Sequence, residues 1–121
     1  MTQAAKNHPI SIERNPNRIR VHFNGRVVAD SRSALTLREA SLPPVHYIPR
    51  KDADMTLFER TGHRTHCPFK SDANHYSIKV DGRVAENAVW TYEDPFPGVA
   101  AIKDHLAFYP DRVDRIEEMP A

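Results

Sequence analysis

One cysteine, one tryptophan and four glycines are all that 121 residues hold of these types, and each scarcity closes a route. With Cys67 alone, no disulfide can form within the chain and no zinc site can be built from cysteine only. Four glycines are too few for a glycine-rich phosphate loop, and no Ser-His-Asp spacing stands out. Charge of one sign is lacking too: 17 Lys and Arg against 16 Asp and Glu leave +1 with neutral histidines. A general nucleic-acid or membrane-surface binder carries a basic surplus, so neither partner is expected. No apolar run approaches the roughly 20 residues that span a bilayer. Residues 1–9 are polar and lack a signal-peptide core, so a cytoplasmic location is the expectation. What is present is ordinary for a folded chain, 40% hydrophobic and 27% charged, at a length that suits one domain.

Residues 1–17 read as a loosely held arm in which Pro9 to Ile12 adds a short edge strand before the Asn15-Pro16-Asn17 turn. Ile19, Val21 and Phe23 then alternate with Arg18, Arg20 and His22, the period of a half-buried strand. Asn24-Gly25 supplies the positive φ angles of a two-residue hairpin turn into Arg26-Val27-Val28. The device returns where Tyr76, Ile78 and Val80 alternate with Ser77 and Lys79 before Asp81-Gly82 and Arg83-Val84. Leu35 to Glu39 resembles Trp90 to Asp94, and Val45 to Pro49 resembles Leu106 to Pro110. The order implies a tandem repeat with halves at about 18–60 and 75–118, each a hairpin followed by two more strands. The second half inserts one short helix after Asp94-Pro95-Phe96-Pro97, where Val99, Ile102 and Leu106 fall at helical spacing. Residues 61–74 show no period and read as a connector without structure of its own, of a length that is often functional. The expected fold is mainly β: one antiparallel domain over residues 18–118.

That connector holds the only thiol, Cys67, together with His63, His66, Arg64, Lys70 and Asp72. A cation near Cys67 would favour the nucleophilic thiolate. His66 is poorly placed because neighbours in an extended chain face opposite ways, so Lys70, His63 or His75 would have to reach it. Cys67 and Lys70 are therefore the catalytic candidates, set against plain burial of a small apolar side chain. His63, His66, Cys67 and His75 are donors that zinc accepts. Yet no C-x-x-C or H-x-x-x-H pair fixes a geometry, and neither metal nor cofactor is assigned. A third reading is an anion pocket: Arg50 and Lys51 follow Tyr47-Ile48-Pro49, and Arg64 and Lys70 lie in the connector. Trp90 and Tyr92 share one strand face and serve either as core or as a stacking wall.

Five stretches resemble a bacterial family, the domain of unknown function 427. They are Arg26 to Ser31, Tyr47 to Asp52, Cys67 to Lys70, Asn87 to Tyr92 and Ala107 to Asp114. The likeness runs from about His8 to Asp114. It implies a compact β fold similar to the Mss4-like or β-tent domains, with Tyr47, Pro49, Arg50, Asp52, Cys67, Pro68, Lys70, Ala73, Trp90 and Tyr92 on motif positions. A nucleotidyltransferase-like label attaches to the family, but the carboxylate cluster of magnesium-dependent transfer is not evident in this chain. Two departures stand out. Ser71 replaces a usual glycine, which questions a turn needing positive φ. His66 and His75 replace aromatic residues, which weakens a metal reading. The leading expectation is a small-molecule domain whose cleft uses Tyr47, Arg50, Asp52, Lys70, Trp90 and Tyr92, with Arg50 and Lys70 holding an anionic group. The alternatives are an enzyme using Cys67 and an adaptor that pairs as a homodimer through a sheet edge.

Overall fold

The computed structural model describes residues 9–121, and backbone pairing in it follows the turn chemistry of the sequence. Among these residues ten strands succeed one another: β1 (Ile10–Arg14), β2 (Arg18–Phe23), β3 (Arg26–Ser31), β4 (Leu35–Glu39), β5 (Val45–Tyr47), β6 (Phe58–Cys67), β7 (Ser71–Val80), β8 (Arg83–Thr91), β9 (Ala107–Phe108) and β10 (Arg115–Met119). Every pairing is antiparallel, in three sheets ordered β1-β4-β5, β10-β2-β3 and β6-β7-β8-β9. The chain is mainly β, as its alternation implies. Both expected hairpins close on two residues: Phe23 faces Arg26 and Val80 faces Arg83. Asn24 and Gly25 take φ of 52° and 77°, and Asp81 and Gly82 take 50° and 82°, the left-handed pair that a type I′ turn needs.

Two cores result. The inward alternation of β2 (Ile19, Val21, Phe23) meets Tyr76, Ile78 and Val80 of β7 and Val89 of β8, with Leu106 and Phe108 closing the larger core. A smaller one gathers Leu37, Tyr47, Ala73, Tyr92, Val99, Ile102 and Ala107. Each fully buried Ile or Leu contributes roughly 1.5–3 kcal/mol. A bridge between Ile48 and Leu106, with N–H···O distances of 2.8 and 2.7 Å, joins β5's end to the start of β9. This sets the two cores side by side.

Three local expectations change. Residues 61–74 form most of a long hairpin, β6 and β7, turning at Pro68-Phe69-Lys70. No period was visible there because β6 is an edge strand exposed along much of its length, and its pairing slips between Arg60 and Arg64. The expected edge strand is present as β1, but the arm is held more firmly than expected: β1 pairs with β4 over five residues, and Asn15 is buried, its side chain donating to Thr36 at 2.9 Å. Residues 1–8 of the arm lie outside the described residues. The expected short helix is the 3-10 segment Pro97–Ile102, which buries Val99 and Ile102. Of the matched segments, Trp90 and Thr91 continue β8, whereas Leu35–Glu39 is a strand of its own.

Candidate functional site

The turn after Cys67 builds the site. Lys70 N–H donates to the Cys67 carbonyl at 3.2 Å, which folds the lysine stem back toward the thiol. The Lys70 ammonium donates to Cys67 Sγ at 3.4 Å and to Glu39 Oε1 at 2.6 Å. Glu39 ends β4, so the ion pair ties this turn to another sheet. The pair is nearly dry: the side chains of Lys70 and Glu39 are 8% and 12% exposed. Ser71 takes φ 117°, a positive angle that glycine accepts far more readily than serine.

This ion pair lines a cavity of about 160 Å³, together with Leu37, Val45, Tyr47, Thr65, Trp90, Tyr92 and Tyr109. Trp90 Nε1 donates to the Tyr47 hydroxyl at 3.2 Å, and the two rings meet edge-on, centroids 6.3 Å apart. Burial raises the pKa of Tyr47, Tyr92 and Tyr109, in the first two far above the ordinary phenol value. All three hydroxyls therefore stay protonated, and those of Tyr47 and Tyr92 are left to donate.

Behind Tyr109 lies His75, fully buried on β7. Its Nδ1 is 3.2 Å from the His63 carbonyl, which can only accept, so Nδ1 carries the proton and Nε2 accepts from the Tyr109 hydroxyl at 3.3 Å. Burial, then the neighbouring His63, holds the His75 pKa below its usual value. His75 and Tyr109 lie parallel within 11°, and Trp90 packs on Tyr109 at 4.5 Å. His75 thus takes the part of an aromatic ring.

The expected site residues divide. Tyr47, Lys70, Trp90 and Tyr92 line the cavity, and Cys67 touches it through Lys70. Arg50 and Asp52 do not line it. Arg50 donates to the Tyr76 hydroxyl of the larger core at 2.8 Å, and Asp52 accepts from Ser31 of β3 at 2.7 Å, so the two fasten the 3-10 turn Arg50–Asp52 to β7 and β3. Lys70 and Arg50 therefore do not converge, and Lys70 already holds a carboxylate. Arg64 pairs with Asp72 at the surface, where His66 also bonds Asp72 at 2.6 Å and holds its carboxyl below the usual pKa. Among the described residues, no three His, Cys, Asp or Glu side chains gather as a metal needs. Glu39, Thr65 and Tyr109 were not singled out in the sequence. Tyr109 lies in a family-like stretch, but nothing local marks Glu39, which reaches Lys70 from 31 residues away.

Among the described residues, no helix is long and apolar enough to cross a membrane. A search of curated proteins finds no match. The sequence profile of one family matches residues 11–119, nearly the whole of the β structure above. The chain belongs to that family, the domain of unknown function DUF427.

Proposed function

We propose that the domain binds a small polar molecule in the cavity walled by Tyr47, Trp90, Tyr92 and Tyr109. The observation that carries this reading is the Lys70–Glu39 pair, held nearly dry at 2.6 Å on the wall of an open cleft. A buried ion pair is weak evidence of stability, since apolar residues often replace one without loss. Turned toward a cleft, it offers donors and acceptors to a guest. With the phenol hydroxyls protonated, the guest that fits best is uncharged and both donates and accepts. An anionic guest would compete with Glu39 for the Lys70 ammonium, and a cationic one with Lys70 for the Glu39 carboxylate. The anionic ligand expected from Arg50 and Lys70 thus becomes a neutral one. The same reading takes the fold as a duplicated β-tent, similar to the Mss4-like domains, in a cytoplasmic protein.

The test is the melting temperature of the protein with butyramide, acetate, inorganic phosphate or n-butylammonium at millimolar concentration. Butyramide is expected to raise it most, and Lys70→Met to abolish the rise. No shift with any of the four sinks the reading.

A second reading has its own observation, the 3.4 Å contact of Lys70 Nζ with Cys67 Sγ. Half-buried Cys67, its proton lost to solvent and its thiolate steadied by the Lys70 ammonium, would add to an electrophilic carbonyl carbon of a guest that reaches past Lys70, the C=O π pair moving onto the oxygen. It predicts native alkylation of Cys67 by iodoacetamide that slows severalfold in Lys70→Met and recovers in Lys70→Arg. A thiol that reacts only on unfolding ends it.

A further inference from the structure

A second cavity, about 480 Å³, adjoins the first. Val45 and Trp90 line both, so one indole and one edge-strand valine stand between a small polar chamber and a larger groove. The groove is apolar. Its floor includes Ile19, Ile48 and Phe108 of the larger core, with Pro43 and Pro44 at the rim. Its one titratable side chain is His46, and both ring nitrogens are engaged: Nδ1 with the Thr36 hydroxyl at 2.9 Å and Nε2 with Glu118 at 3.3 Å. The groove therefore has little hydrogen bonding to offer, and what fills it must be hydrocarbon. Its volume lies within the range of ordinary ligand pockets, and proline fixes φ at the rim, so it needs little ordering on binding.

We propose that the two cavities form one bipartite site for a neutral amphiphile, its uncharged polar head in the Lys70–Glu39 chamber and its unbranched apolar chain in the groove beyond Trp90. The proposal rests on the small chamber being a ligand site and adds the class of ligand. An uncharged head follows from the ion pair: a carboxylate head competes with Glu39 for Lys70, and an ammonium head competes with Lys70 for Glu39. The chain follows from the groove, whose floor continues the larger core. Each methylene buried there is taken from water as in folding.

The test is isothermal calorimetry of the full chain with n-alkanamides of four to ten carbons and the matching n-alkanoates. Burial of one CH₂ is worth ~0.8 kcal/mol, a gain of about fourfold in affinity per carbon. The amides should follow that slope until the groove is full and then level off, and the alkanoates should bind at least tenfold more weakly. If butyramide binds but affinity stays flat with length, the chamber stands as a site and the amphiphile is overturned. If no chain length binds, both fail. Sedimentation of the protein alone covers the other occupant. A dimer that Leu42→Glu dissociates, with no amphiphile binding, assigns the groove to a second copy and overturns the proposal.

Discussion

At the scale of single side chains, Lys70 joins three parts of the molecule: its backbone closes the turn on Cys67, and its ammonium holds both the thiol and Glu39. Lys70→Met takes the ammonium out of a nearly dry contact with the Glu39 carboxylate, and Glu39→Leu takes the carboxylate from a buried ammonium, so each alone should cost roughly 3 kcal/mol. The double variant should cost clearly less than the sum, because neither charge then remains. Urea unfolding of the four proteins measures this coupling, and additive losses would show that the pair is not desolvated. His75 makes a separate prediction. Its folded pKa is depressed, so below the unfolded value of about 6.5 the unfolded chain takes up a proton that the folded chain refuses. The stability that depends on neutral His75 is full above about pH 6.5 and is lost as pH falls from there through the lower folded pKa. His75→Phe keeps the ring between His63 and Tyr109 and removes the titration. Melting temperatures at pH 7.5, 6.5 and 5.5 should fall more steeply for the native protein than for this variant. Parallel falls would contradict the assignment.

At the scale of elements, turn chemistry was legible and edge strands were not. Asn24-Gly25 and Asp81-Gly82 announced their hairpins because each needs two consecutive positive φ angles, which few other residue pairs accept. β6 announced nothing. An edge strand exposed on both faces has no reason to alternate, and the slip between Arg60 and Arg64 breaks what period it had. That slip and the surface pairs Arg60–Glu93 and Arg64–Asp72 also blunt the edge against another strand, so this edge does not favour the adaptor reading. Within the site, the i to i+3 reach of Lys70 to Cys67 could be foreseen once His66 was set aside. Glu39 could not, because its pairing depends on how β4 meets the β6–β7 turn in space. That turn carries strain that can be tested: Ser71 holds φ 117°, where a side chain is disfavoured. Ser71→Gly should stabilise by about 1 kcal/mol and raise the melting temperature by roughly 4 °C. A loss of stability would mean that the serine makes up for its backbone cost through contacts.

At the scale of the whole molecule, three small sheets divide the apolar residues between two cores, and the candidate site lies where those cores meet, around Trp90. This is where β4, β5, β8 and the turn after Cys67 come together, each bringing a polar group that has no role in its own sheet. Trp90 is the chain's only tryptophan, lines both cavities and packs on Tyr109, so its emission reports directly on whether either cavity is filled. The measurement that tests the central claim most directly is a titration of the native protein with butyramide and with acetate, following Trp90 fluorescence. A saturable change with butyramide, absent with acetate and absent in Lys70→Met, is the predicted result. A linear, unsaturable response to both, the same in native protein and variant, would contradict it.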